Sequence, residues 1–313
     1  MLELTNYIKI NEGGHSVEGC EPIKGNLAKG VADEIIDKLK SKFHCECIAL
    51  GSTGKKGENQ TSGDIDIAIE YDWNKYEDVL KFVKDNMTNN IGNINKNLHV
   101  FNIGYEYKDG EDVKMVQVDF MFTDNIEFAE FAYHSPDFTK NESKYKGMYQ
   151  SALMMAAISC VPPEDINKKY TVEYFSDTDY NGKYKTEDKQ VKTFWKLNFD
   201  QNKGLTIHQK TWEGKTKPLA NPQTVKGTEE VITKDINKII KLCFGSKATK
   251  EDFNSFESTI ALLVSERYKY CNNNFLHRVR EAFLNDWQIK MKTSPELMKE
   301  LGDLLTEEIN NVD

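Results

Sequence analysis

No stretch of about 18 consecutive apolar residues occurs anywhere in the 313-residue chain, so nothing in it reads as a membrane-spanning helix. The opening MLELTNYIKINEGG has neither a basic start nor an apolar run behind it, so no secretory leader is expected and the expected location is the cytoplasm. Cysteine is sparse and scattered, at Cys20, Cys45, Cys47, Cys160, Cys243 and Cys271, with no C-x-x-C pair. Cys45 and Cys47 share one face of an expected strand, but no second pair or His-x₃-His completes a zinc set, so reduced thiols are expected. Excess positive charge is also missing. There are 41 Lys and Arg against 50 Asp and Glu, for a net charge of −9, and residues 1–160 alone hold 26 acids and 17 bases. Such a chain is not built to neutralise duplex DNA along its length; its acidic first half suits a divalent-metal site and suits ordinary solubility equally well. There is no internal repeat and no low-complexity tract.

The patterns that are present alternate between helix and strand. Residues 30–43, with apolar positions 31, 35, 36, 39 and 43, have helix periodicity. Residues 45–50 read as a short strand, IDIAIEY (65–71) as a strictly alternating strand, 75–87 as a helix, and 97–107 and 113–122 as two strands joined by the Asp-Gly of KDGED. A helix is expected over 141–160, ended by Pro162-Pro163. Three β-like runs in 170–213 form an expected meander, 214–226 a polar loop, and 228–309 a helical region. The predicted architecture is α+β: a core over residues 1–160 built on a small mixed β-sheet with helices, a β-rich insert over 161–226, and a helical C-terminal region over 227–313.

The informative stretch is GSTGKKGENQTSGDIDIAIEYD, residues 51–72. It is not a P-loop: Gly51 and Gly54 are three apart, Lys55 is followed by Lys56, and no crossover helix begins there. Asp64 and Asp66 point to one side of their strand, about 7 Å apart, while Ile65, Ile67 and Ile69 point into a core. Carboxylates so placed repel unless a cation sits between them, and a hard divalent ion with oxygen ligands answers that. In MVQVDFMF, Asp119 is a third carboxylate set among apolar residues, costly to bury without a partner. If its strand lies beside 64–70, the three aspartates form a cluster able to hold two Mg²⁺ (or Mn²⁺) ions. A phosphate then meets magnesium instead of bare carboxylates. Gly51 permits close backbone approach, and the N–H groups and hydroxyl around Ser52 hold phosphate oxygens, with charge added by Lys55 or Lys56 if their loop is not simply solvated.

Leu50-Gly51-Ser52, a loop, Asp64-Ile65-Asp66 and a later strand with Asp119 together resemble the DNA polymerase β-like nucleotidyltransferase superfamily, over roughly residues 28–160; the phrasing GSTGKK…SGDIDIAI is similar to viral and phage members, for which the location is the host cytoplasm. The resemblance implies a metal-dependent transfer of NMP from an NTP, ATP first, to an acceptor hydroxyl with release of pyrophosphate. It implies that Asp64 and Asp66 ligate metal, that Asp119 ligates it and orients or deprotonates the hydroxyl, and that Ser52 holds the triphosphate. In related folds the helix after the third aspartate faces the triphosphate, which makes Ser143, Lys144 and Lys146 candidate phosphate ligands or a solvated first turn. Tyr145 and Tyr149 either stack a base or pack into a core. Nine lysines between 183 and 217, interleaved with aromatics such as Trp195 and Trp212, suit single-stranded RNA such as a tRNA end as acceptor; a half-buried sheet with a wet lysine face has the same pattern. Three readings stand beside RNA transfer: synthesis of a cyclic or linear oligonucleotide signal, adenylylation of a protein or small molecule, and a non-catalytic nucleotide-binding module.

Overall fold

The computed structural model describes residues 16–171, 173–175, 190–212 and 224–312. The chain divides into two compact units, one ending at Met148 and the other beginning at Tyr149. In the first unit the elements run β1 (Ile23–Lys24), α1 (Gly25–Phe43), β2 (Cys47–Ala49), β3 (Thr61–Ser62), β4 (Asp64–Glu70), α2 (Tyr76–Asn86), β5 (Ile91–Asn95), β6 (Val100–Asp109), β7 (Asp112–Thr123) and α3 (Ile126–Ala132). Their main sheet has the order β2-β4-β7-β6-β5, with β4 and β7 parallel and the other pairs antiparallel. A parallel pair needs a long crossover, and here α2, β5 and β6 provide it.

Period-two alternation sets the layers. Ile65, Ile67 and Ile69 of β4 and Val116, Val118, Phe120 and Phe122 of β7 are buried with Val31, Ala32, Ile35, Ile36 and Leu39 of α1. Each such side chain contributes about 1.5–3 kcal/mol on full burial. On the reverse face Ala68 packs with Leu50 and Ala129 of α3, so β4 is covered on both sides beyond its first turn of sequence. The β6–β7 hairpin closes at Asp109↔Asp112, with Gly110 at φ +69°, as the Asp-Gly signal predicts.

The second unit contains α4 (Gly147–Cys160, beginning just before it), α5 (Pro163–Ile166), β8 (Glu173–Phe175), β9 (Gln190–Asp200), β10 (Gly204–Trp212), β11 (Thr224–Thr233), α6 (Ile236–Cys243), α7 (Phe256–Leu263), α8 (Asn273–Leu284), α9 (Trp287–Lys292) and α10 (Pro295–Asn310). Among the described residues its sheet is the antiparallel set β11-β10-β9-β8, with Leu197, Phe199, Leu205 and Ile207 buried. No described helix is long and apolar enough to cross a membrane.

The α+β class with a small mixed sheet, a β-meander and C-terminal helices is what the structure has, with local differences. The meander gains β11, which pairs antiparallel with β10 through two register shifts, so helix begins at Ile236 and not near 228. The short strand β5 and helix α3 were not foreseen. The helix expected from residue 141 begins at Gly147: Asn141 takes a left-handed φ of +55°, and Ser143 Oγ accepts the Tyr145 N–H at 2.9 Å, a local turn that competes with helix.

Gly25 stands at the start of α1 against the 56–57 loop. A Cβ there would lie 2.5 Å from the Lys56 carbonyl oxygen and 2.7 Å from that of Gly57. Alanine ordinarily stabilises a helix by about 1 kcal/mol over glycine; Gly25→Ala is expected instead to lower the melting temperature measured by circular dichroism. An unchanged or higher value would contradict this close packing.

Candidate metal centre

The parallel register sets Asp66 directly opposite Asp119 and Asp64 opposite Gln117. All three aspartates face the same side, and one carboxylate oxygen from each lies within 4.8 Å of the other two. Burial first, then the charges of Asp64 and Asp119, hold the Asp66 carboxyl well above the ordinary carboxylate range. Burial and then Asp64 push Asp119 up to about 7, while a 2.8 Å hydrogen bond donated by Gln117 Nε2 to Asp119 Oδ1 pulls it back. Among the described residues no hydrogen-bond donor reaches the Asp66 carboxylate. An all-oxygen set of three carboxylates this crowded fits a hard divalent cation such as Mg²⁺ or Mn²⁺.

The turn beside the cluster is shaped around Asp66. The Leu50 N–H donates to the Asp66 carbonyl at 2.8 Å, and Gly51 follows at φ +58°. A Cβ on Gly51 would lie 2.8 Å from Asp66 Oδ2, so both conformation and space require glycine. The turn closes through Thr53 N–H to the Leu50 carbonyl and Lys55 N–H to the Ser52 carbonyl, and Ser52 Oγ lies 3.1 Å from Ser62 Oγ. This geometry sets Gly51 against the Asp66 carboxylate and engages the Ser52 hydroxyl with Ser62.

The two lysines after it differ. Lys55 donates its ammonium to the Ser135 carbonyl at 2.8 Å, and its own carbonyl accepts the Phe138 N–H at 2.9 Å. The 53–63 loop is thus tied down at residues where the composition suggests a solvated loop. Lys56 donates to the Thr61 carbonyl at 2.7 Å. Burial and then the charge of Lys146 push the Lys56 ammonium down, and Asp64 pulls it up. Lys56 is therefore an electrostatic neighbour of Lys146 and of Asp64, and Lys146 stands in the segment before α4, not in the helix itself. Ser143 is buried in its turn with Tyr145, and the Lys144 ammonium lies 4.8 Å from the centre of the Tyr145 ring. Tyr145 and Tyr149 are buried, with Tyr149 accepting a hydrogen bond from Thr293 Oγ1, so both are packing residues.

Sequence reasoning missed Gln117, Ser16 and Asn102, which form a polar network leading to Asp119. Polar residues in the otherwise apolar β6 and β7 were its only sequence trace. Cys45 and Cys47 do share a side, Sγ to Sγ 3.7 Å, and the described residues offer them no third metal ligand within reach. Most of the 183–217 lysines lie outside the described residues; Lys203 is one of those within, and it is paired with Glu229 at 3.0 Å.

No protein-family profile matches the chain. No curated protein matches it. Among solved structures, the chain is similar to Leishmania infantum polymerase beta in a ternary gap complex, at 12% identity and a TM-score of 0.34, over 48% of this chain and 55% of that one. A ternary P/T complex of the same polymerase gives 13% identity and a TM-score of 0.32, over 50% of this chain and 63% of that one. The chain thus spans little more than half the length of these polymerase chains.

Asp66→Asn removes the buried carboxyl whose ionisation its surroundings oppose. In metal-free protein at neutral pH or above it is expected to raise the melting temperature by about 2–4 °C, the equivalent of roughly 1 kcal/mol for a domain of this size. The same variant is expected to lose any Mn²⁺-induced rise that the wild type has. A metal-free variant that melts lower, with the Mn²⁺ response retained, would show that the cluster is not a metal centre.

Proposed function

We propose that the protein is a metal-dependent nucleotidyltransferase of the DNA polymerase β-like kind, moving NMP from an NTP to an acceptor hydroxyl. The observation that carries this reading is the pairing of Asp66 with Asp119 on adjacent parallel strands, with Asp64 in reach and the Gly51-Ser52 turn alongside. Asp64, Asp66 and Asp119 would hold the metal. Bound there, a divalent cation supplies charge neutralisation for the phosphates and Lewis-acid polarisation at the α-phosphate.

The chain's own groups do the rest. The Ser52 hydroxyl and the backbone of its turn bind the triphosphate, with Lys56 and Lys146 adding positive charge. Asp119 accepts the proton of the acceptor hydroxyl. That oxygen forms a bond to the α-phosphorus, the bond from the α-phosphorus to the bridging oxygen breaks, and pyrophosphate leaves with its electrons. Lys55 binds no phosphate in this scheme; it holds the turn in place through Ser135.

The acceptor proposed first is RNA, on the lysine–aromatic meander. A second reading, a small-molecule, protein or oligonucleotide-signal product, is favoured by one observation: Lys203 is paired with Glu229 and Lys169 with Glu230, which leaves the described part of that sheet less basic than its composition.

The test is incubation with each α-³²P-labelled NTP, Mg²⁺ or Mn²⁺, and total cellular RNA, resolved by gel and thin-layer chromatography. Label on RNA supports polynucleotide transfer, and label in a small-molecule spot supports the second reading. Asp64→Asn combined with Asp66→Asn is expected to abolish either signal. Lys146→Met is expected to raise KM for the NTP about tenfold, roughly one charge-assisted hydrogen bond, with kcat little changed. Labelling that survives loss of both aspartates would sink the proposal.

A further inference from the structure

Gln117 is buried, with 3% of its surface exposed, and its amide connects Asp119 to a residue 101 positions away in sequence. Its Oε1 accepts from the Ser16 backbone N–H at 2.9 Å and from Ser16 Oγ at 2.8 Å. A backbone N–H can only donate, so Oε1 must face Ser16 and Nε2 must face Asp119. The amide cannot flip without setting two N–H groups against each other. The same logic continues outward. Ser16 Oγ donates to Gln117 and therefore accepts from Asn102 Nδ2 at 2.7 Å, and Asn102 Oδ1 accepts the Asn93 backbone N–H at 2.6 Å.

Every bond in the chain Asn93, Asn102, Ser16, Gln117, Asp119 thus points the same way, ending as a donor on Asp119 Oδ1. Bonds aligned head to tail polarise one another. The path is held by packing: Val17 is buried, the Glu21 N–H donates to the Met115 carbonyl at 2.9 Å, and Gly92 leaves the space that Asn102 Oδ1 and Val17 fill. Asn102 is also the register partner of Asp119 across β6 and β7.

We propose that Gln117 is the positioning residue of the metal centre and Ser16 its anchor, so that the segment at Ser16–Glu21 completes the site from outside the sheet. Gln117 fixes one Asp119 oxygen and leaves the other for the cation and for the acceptor proton. The inference rests on the metal-centre reading of the three aspartates.

The experiment measures Mn²⁺ binding to the full chain by electron paramagnetic resonance, with folding followed by circular dichroism. Gln117→Met, similar in length but without donor or acceptor, is expected to weaken Mn²⁺ binding by about 10- to 100-fold, the usual effect of losing a partner of a metal ligand. Ser16→Ala is expected to weaken it less, and Ser16→Thr, which keeps the hydroxyl, to restore it. In turnover, Gln117→Met is expected to lower kcat while KM for the NTP stays within about twofold, since transition-state positioning and not nucleotide binding is lost. Folded Gln117→Met and Ser16→Ala proteins with wild-type Mn²⁺ affinity would overturn the proposal. Should Gln117→Met fail to fold, the Ser16→Ala and Ser16→Thr pair decides by the same criterion. A wild type that binds Mn²⁺ but transfers no NMP, with Gln117→Met still weakened, defeats the proposed activity and upholds the positioning role. A wild type that binds no Mn²⁺ overturns both.

Discussion

The parallel pairing of β4 with β7 is the constraint on which the site depends. It forces Asp66 and Asp119 face to face, an arrangement no isolated pair of strands would choose. What imposes it is the opposite face. Seven side chains of these two strands, Ile65, Ile67, Ile69, Val116, Val118, Phe120 and Phe122, are buried there. At about 1.5–3 kcal/mol each, their burial amounts to roughly ten or more kcal/mol, against a few for crowding carboxylates that can lower their charge by taking up protons. Register cannot relax to relieve the repulsion, because a one-residue slip of β4 would turn Asp64 and Asp66 into the core, and one of β7 would turn Asp119 there. The apolar half of the strands therefore holds the polar half in a strained state that a cation relieves.

The turn at Leu50–Lys55 extends that logic. Its first hydrogen bond is to the Asp66 carbonyl, so the cradle is positioned by the same residue that the metal would bind. Its far end is fixed by Lys55, whose ammonium and carbonyl both engage the segment 135–138, and Gly25 N–H holds the Gln60 carbonyl from α1. A site on strands with its loop fastened from two directions keeps the geometry that catalysis needs.

Much of this was legible in the sequence because it is local. The alternation of IDIAIEY shows which aspartates share a face, and the apolar setting of Asp119 marks it as a charge in need of a partner. What was not legible is what depends on distant groups. Ser16 meets Gln117 across 101 positions, and no periodicity announces it. Lys55 looks like a phosphate ligand by neighbourhood, yet its ammonium is committed to a carbonyl 80 residues on. The start of α4 was misplaced because the 141–146 segment has helix-compatible composition, while Ser143 and Asn141 settle their backbone locally. Strand β11 was hidden by TEEVIT, whose glutamates suit a helix until Glu229 and Glu230 pair with Lys203 and Lys169.

The adjacent lysines show how charge is divided at the centre. Lys55 is turned inward among Glu130, Glu142 and Asp137, where it has structural work and no free charge for a ligand. Lys56 lies instead within the field of Lys146 and Asp64. The positive charge of Lys56 and Lys146 invites an anion, but Asp64 beside Lys56 repels it. On the proposed reading these opposing fields make triphosphate binding conditional on the cation. With a cation held by the aspartates, Lys56 would stand beside it as a further positive charge. On that same reading, a preference of the site for a metal-bound nucleotide over a bare one would follow from this balance.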